Sequence, residues 1–431
     1  MGLRVLVAPN EDGLGTSAWA VRLVRALCRE GEGKITRVLV AAGSQRLARF
    51  HADKYPGLPV EIVRLEGVHH PIRLVKKGGG VDVAATIEAS LMPYEASLGE
   101  YQQALDAAGA LAACDLVVDF AVPQLLRAAR RTADLRRPPC VTLSDHAWSD
   151  TLTRMATAAD LLSEPVQRAL DAMRADEALA TAAFTLPEPI TPPAAARYWP
   201  DVLHVPVQRL PGVLGGPEAT RSWIAGEPRE AVRRLLGVED GLPVLHITGG
   251  GTAVWDNALA RLLSDYCARP PGYHVIVFHP AEARRRDVRM AWSAAGGAAV
   301  ELGRDPALPR VTFLGDVRGE THHVLFAGFD LLCTRAGGGT VNDALAFRVP
   351  MVLVEEPGHA QVEAIRESCE QMGLCRSTRW EEFLARGRAL WEGAGSALIR
   401  IPGAAAAAAA VERYAEAWLA HRLLEMASDD W

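Results

Sequence analysis

The sequence predicts an α/β protein with two doubly wound parallel sheets, and three observations carry that prediction. Short, uninterrupted runs of Val, Ile and Leu alternate with helix-period segments along most of the chain, as parallel strands covered on both faces do. Two of these runs empty into three consecutive glycines followed by a helix, Thr248-Gly-Gly-Gly-Thr252 and Ala336-Gly-Gly-Gly-Thr340, so the chain uses one strand-turn-helix device twice. A proline-rich stretch, 187–217, interrupts the periodicity and separates the halves.

In chain order, strands are expected at 3–8, 37–42, 60–65, 116–120 and 140–143, with helices at 17–29, 45–52, 99–113 and 123–133 between them. The second half repeats the rhythm. Its expected strands are 244–247, 274–279, 311–314, 329–333 and 351–354, and its helices are 229–236, 255–268, 319–327, 340–347 and 361–372. The alanine run at 404–410 opens a long helix ending near 426. The domains are therefore placed at 1–206, 207–403 and 404–431, with the last helix returning to the first domain and a cleft between the two sheets.

Composition narrows the function classes. The chain has 431 residues, enough for two to three domains, and 49% hydrophobic content fills two cores. A net charge of -6 argues against a nucleic-acid partner. No apolar run reaches the roughly twenty residues of a membrane span, and no secretory leader is evident. The seven cysteines are scattered through apolar segments without a Cys-x-x-Cys pair, which favours reduced thiols, no metal site and a cytoplasmic setting. No residues call for a cofactor, and the chain is expected to be a monomer or homodimer.

The glycine turns carry the chemistry. Without Cβ, glycine lets backbone approach an anion, and the first turn of the following helix presents N–H groups with the positive end of the helix dipole behind them. A diphosphate fits such a cradle. Arg335 adds positive charge, and Asp343, two to three residues into the expected helix, is placed to accept from a ribose diol. Neither turn is a P-loop, because no Lys follows the glycines, and neither has the spaced glycines of a dinucleotide fingerprint.

The order of parts across 311–373 resembles the donor half of GT-B glycosyltransferases, above all the family of the lipid II N-acetylglucosaminyltransferase and the plant galactolipid synthases. The matching parts are Phe313-Leu-Gly-Asp316, Arg335 to Thr340, Asp343, Arg348-Val-Pro350, the strand 351–354 and Gln361. The resemblance implies a GT-B fold and a nucleoside diphosphate sugar, such as a UDP-sugar, as co-substrate. It implies that Gly337, Gly338, Gly339 and Thr340 hold the diphosphate, with Gly249, Gly250, Gly251 and Thr252 on the companion turn. Asp343 would take the ribose, Asp316 and Val317 flank the base, and Gln361 reaches the sugar hydroxyls. The chain departs from the pattern at Val349, where the family has Gly, and at Glu355-Glu356, either of which can accept from a sugar hydroxyl.

On the acceptor side, the loop Asn10-Glu-Asp-Gly-Leu-Gly15 stands where the family has a glycine-rich loop and commonly a His, which is missing here. Gly13 and Gly15 would shape that loop. The base that deprotonates the acceptor hydroxyl is then Asp12 or Glu11, or else His146, with His69 and His70 as further candidates. Thr142-Leu-Ser-Asp145-His146-Ala-Trp148 resembles the Asp-x-x-x-x-His-x-x-Trp region of the galactolipid enzymes, with Asp145 and His146 adjacent instead of spaced. The insertion 67–80 is expected as a solvated loop beside a small-molecule or lipid acceptor, with peripheral membrane contact left open. The expected reaction is metal-independent sugar transfer with inversion. Its rivals are a nucleotide-sugar hydrolase or epimerase and a non-catalytic nucleotide-sugar-binding protein.

Overall fold

The computed structural model describes all residues other than 1, 11–13, 66–71, 78–79, 112–113, 132–137, 216–227, 239–240, 250–271, 287, 294–298, 319–321, 380–381, 383–414 and 429–431. The chain forms two compact units, one of Met1–Gly212, Pro357–Ala364 and Tyr414–Trp431, the other of Val213–Glu356 and Ile365–Arg413.

In the first unit, β1 (Leu3–Ala8), β2 (Ile35–Ala42) and β3 (Val60–Arg64) precede a small hairpin, β4 (Lys76–Lys77) and β5 (Gly80–Val81). Four more strands follow: β6 (Leu116–Asp119), β7 (Cys140–Leu143), β8 (Ala182–Thr185) and β9 (Val207–Arg209). They build a seven-stranded, wholly parallel sheet in the order β3-β2-β1-β6-β7-β8-β9. Every residue of β6, β7 and β8 is buried, as helices on both faces require. One face packs Leu6, Leu39, Val117 and Leu125 together. A second cluster joins Val81, Ile87, Tyr94, Trp148, Leu152 and Leu170. The C-terminal helix Glu416–Ser428 lies on the helix Leu14–Glu30, with His421 Nε2 3.2 Å from Glu30.

The second unit contains β10 (Val244–Thr248), β11 (His274–Phe278), β12 (Val288–Ser293), β13 (Ala299–Arg304), β14 (Val311–Arg318), β15 (Leu331–Arg335), β16 (Met351–Val354) and β17 (Cys375–Thr378). Their order is β12-β13-β14-β11-β10-β15-β16-β17. All pairings are parallel except those among β12, β13 and β14, which form an antiparallel edge.

Several expected elements shift, each for a local reason. Pro93 precedes the helix Tyr94–Ala107, so it starts earlier than expected, and Gly109 at φ 58 follows its end. β15 begins two residues late because Asp330 is occupied before the strand: its carboxylate pairs with Arg229 and Arg233 and accepts the Val244 N–H. The helix expected at 319–327 is a 3₁₀ segment, His322–Gly328. The helices Trp148–Ala158, Glu164–Glu177 and Pro193–Asp201 and the strand β8 were not expected. Prolines near the start of the latter two helices occupy positions whose N–H groups need no partner, so they begin helices there instead of breaking the chain. The insertion expected as a loose loop carries the β4–β5 hairpin, and Asp82 then caps the helix Val83–Leu91 by accepting from the Ala85 N–H at 3.1 Å.

Candidate active site

Strand order in the first sheet reverses between β1 and β6, and at such a switch point the carboxyl ends of neighbouring strands leave a crevice for ligands. Asn10, just past β1, is buried and donates from Nδ2 to the Ala121 carbonyl at 3.0 Å. Ala121 is held at φ 58, left-handed backbone that costs an L-residue about 1–2 kcal/mol. Beside it, the fully buried Asp119 at the end of β6 accepts from the Val122 N–H at 2.6 Å and from the Thr142 hydroxyl at 3.0 Å. Burial pushes its carboxyl up to about 7, against the opposite pull of those donors.

The next strand end, that of β7, delivers Asp145 and His146. Ser144 locks the turn: its hydroxyl donates to the His146 carbonyl at 2.6 Å and accepts the His146 N–H at 3.2 Å. His146 Nδ1 lies 2.6 Å from Asp145 Oδ1, and Asp145 Oδ2 accepts from Gln361 Nε2 at 2.7 Å. Both side chains are buried, and His146 Nε2 has no hydrogen-bond partner among the described residues. A carboxylate on Nδ1 puts the proton there and leaves the Nε2 lone pair as a base, the arrangement general-base histidines use. The Trp148 ring stands edge-on to the imidazole at 4.4 Å. Glu177, buried on the helix Glu164–Glu177, accepts from the Trp148 N–H at 2.7 Å and from the Ser149 N–H and hydroxyl, so a carboxylate sits on the positive end of the helix that begins right after His146. Burial pushes Glu177 up to about 7.

In the second unit the strands that lead into the two glycine runs are neighbours. Strand order reverses between β10 and β15, which pair with Thr248 opposite Thr334, so Gly249 and Gly337 follow adjacent strand ends at the switch point. Gly337 caps the helix Gly338–Ala346 at φ -72, and Gly338, Gly339 and Thr340 form its first turn, whose N–H groups have no intrahelical carbonyl to bond. None of these three glycines uses a left-handed conformation. Their contribution is the missing Cβ, which leaves the N–H face open. Arg335 ends β15 and is not a freely mobile charge: its Nη1 donates to Glu356 at 2.8 Å in a largely buried ion pair. Its Nε is buried with no hydrogen-bond partner among the described residues, 3.9 Å from where a Cβ on Gly337 would stand. Because the helix starts at Gly338, Asp343 is its sixth residue, two residues deeper than expected, and is buried with Asn342 Nδ2 3.2 Å from Oδ1. Asn342 itself is fastened to Leu214 through both backbone groups.

Of the remaining candidates, Asp316 and Val317 lie in β14, with their side chains outside the described residues. Glu355 pairs with Arg379 at 3.5 Å on the surface. Gln361 belongs to the first unit and bonds to Asp145 there. Gly15 is the second residue of the helix Leu14–Glu30. Glu11, Asp12, Gly13, His69, His70, Gly250, Gly251 and Thr252 lie outside the described residues. Sequence reasoning missed Asn10, Asp119 and Glu177. Asp119 had a signal, an acid ending an apolar strand; Glu177 had none, since the helix carrying it was itself unexpected.

No protein-family model and no curated protein matches the chain. Solved structures do. The glycosyltransferase of kitacinnamycin superposes with a TM-score of 0.63 at 15% identity, over 99% of this chain and 99% of that one. CalG4, the calicheamicin glycosyltransferase, gives 0.60 at 19% identity over 99% and 98%. UGT2 of Phytolacca americana, solved with UDP-2fluoro-glucose and pterostilbene, gives 0.59 at 11% identity over 99% and 100%. The chain has the GT-B fold of these glycosyltransferases.

Proposed function

We propose that the chain is a glycosyltransferase that moves a sugar from a nucleoside diphosphate sugar to an acceptor hydroxyl. The observation that carries this reading is that Gly249 and Gly337 follow adjacent strand ends at the β10/β15 switch point, with the open N-terminus of the helix Gly338–Ala346 beside them, on a fold whose solved examples are glycosyltransferases. UGT2, solved with UDP-2fluoro-glucose, supports the donor class.

The chemistry divides between the units. As the glycosidic bond breaks, negative charge grows on the leaving diphosphate, and the first-turn N–H groups of Gly338, Gly339 and Thr340 with the Arg335 guanidinium stabilise it. Preorganised donors need no reorientation at that moment, and the sequence offers no Asp-x-Asp pair to bridge a cation to the diphosphate, so transfer is read as metal-independent. In the first unit, His146 Nε2 removes the acceptor proton and Asp145 holds the resulting imidazolium. Direct attack by the activated hydroxyl inverts the anomeric centre. The narrower likeness to the lipid II and galactolipid enzymes supports a lipid-linked acceptor, whereas two of the three solved structures described above are named for antibiotics.

The test incubates the protein with UDP-, TDP- and N-acetylated UDP-sugars, with and without an acceptor panel and a strong chelator. Nucleoside diphosphate release that requires an acceptor and survives chelation is expected. Release of free sugar without any acceptor would instead establish the hydrolase reading, and binding without release under every condition would establish a binding protein.

A further inference from the structure

We propose that Gln361 is a positioning residue, the outer member of a Gln361–Asp145–His146 hydrogen-bonded chain, and not a partner of the donor sugar. The proposal rests on His146 being the base. Asp145 is buried, and each of its oxygens has a donor: Oδ1 lies 2.6 Å from His146 Nδ1, and Oδ2 accepts from Gln361 Nε2 at 2.7 Å. A carboxylate bonded through one oxygen alone can swing about its Cβ–Cγ bond; bonded through both, it cannot, and the imidazole it holds keeps one ring orientation and one tautomer.

The segment bearing Gln361 is fixed on its other side. The Val81 N–H of β5 donates to the Pro357 carbonyl at 2.9 Å. A Cβ on Gly80 would stand 2.5 Å from that same carbonyl oxygen, and one on Gly358, at φ +85, would stand 2.8 Å from the Val81 carbonyl, so only glycines allow the approach. Ala360 packs against the cluster that contains Trp148, and Gln361 opens the helix Ala360–Gln371 one residue later. The insertion hairpin thus clamps the chain where it must present an amide to Asp145.

The residue type suits the task. An amide satisfies Oδ2 without charge. A Lys or Arg there would neutralise Asp145 and weaken its hold on a protonated imidazole. Among the described residues, Glu177, from the helix Glu164–Glu177, also interacts electrostatically with His146.

The test compares wild type, Gln361→Met and His146→Asn. Methionine keeps length and packing but removes the donor, so the fold is retained. In ¹⁵N-histidine-labelled protein, with the His146 signal assigned by its loss in H146N, wild type should show the single tautomer with the proton on Nδ1, and Q361M a mixture. UDP-glucose affinity by calorimetry should be unchanged in Q361M, while turnover falls about tenfold, as loss of an orienting partner does. An unaltered tautomer in Q361M, or weakened UDP-glucose binding with turnover kept at saturating donor, overturns the proposal and returns Gln361 to the sugar. If H146N itself keeps wild-type turnover, the base assignment falls and takes this proposal with it; if H146N is inactive and Q361M is indistinguishable from wild type, only the role of Gln361 falls.

Discussion

The two switch points occupy the same place in two similar sheets and are built from opposite materials. At β1/β6 and the neighbouring end of β7 the crevice is made of side chains: Asp119, Asp145 and His146 are buried within a few residues of strand ends, with Glu177 behind them. At β10/β15 it is made of backbone: glycines at adjacent strand ends and a helix N-terminus, with the Arg335–Glu356 pair beside them. The fold chooses where a ligand meets the sheet, and residue type then decides which charge is handled there. Buried titratable groups suit a proton; open N–H groups suit a phosphate.

Substitutions should therefore separate the two regions. The largest effect is expected from Asp145→Asn, which keeps shape but turns the imidazole to the wrong tautomer. Turnover should drop by about 10³–10⁴-fold with nucleoside diphosphate affinity unchanged, measured by steady-state kinetics alongside calorimetry. Next comes Arg335→Ala. It removes the guanidinium that pairs with Glu356, whose side chain is 4% exposed, and should destabilise the protein by about 1–3 kcal/mol in urea denaturation. The double change Arg335→Met with Glu356→Leu should recover most of that stability and still bind UDP weakly, which separates the guanidinium's structural and ligand roles. Asp343→Ala should weaken UDP binding by about 1–3 kcal/mol while leaving His146 chemistry intact.

The smallest effect is a pH dependence confined to the first region. Asp119 and Glu177 are both raised to about 7, chiefly by burial, so the folded protein keeps protons that the unfolded chain releases near pH 4. Their stabilisation is fully present below about pH 4 and is lost as pH rises through about 7. Asp119→Asn, which cannot ionise, should lessen the loss of stability between pH 5 and pH 8 by on the order of 1 kcal/mol. An unchanged slope would place the Asp119 carboxyl in a wetter setting than its burial indicates.

The contrast also explains what could be read in advance. The second region was legible because its device is local: strand, glycines and helix are contiguous, and only the start of the helix, two residues earlier than expected once Gly337 served as cap, moved Asp343 two residues deeper. The first region was not, because its contacts join distant segments. Asp119 meets Thr142, Glu177 meets Trp148, and Gln361 meets Asp145 from 216 residues away. A neutral amide and a glutamate that ends its helix carry no pattern of their own. The helix that ends in Glu177 and the helix Trp148–Ala158 that it caps were hidden by weak alternation next to a proline-rich stretch, whereas the helix bearing Gln361 was expected.

The most direct test of the central claim is turnover and donor binding measured together in His146→Asn. UDP-sugar affinity should stay within error of wild type while acceptor-dependent release of UDP falls by about 10²–10⁴-fold. Turnover within a factor of about two of wild type would contradict the assignment of proton transfer to the first unit's buried histidine.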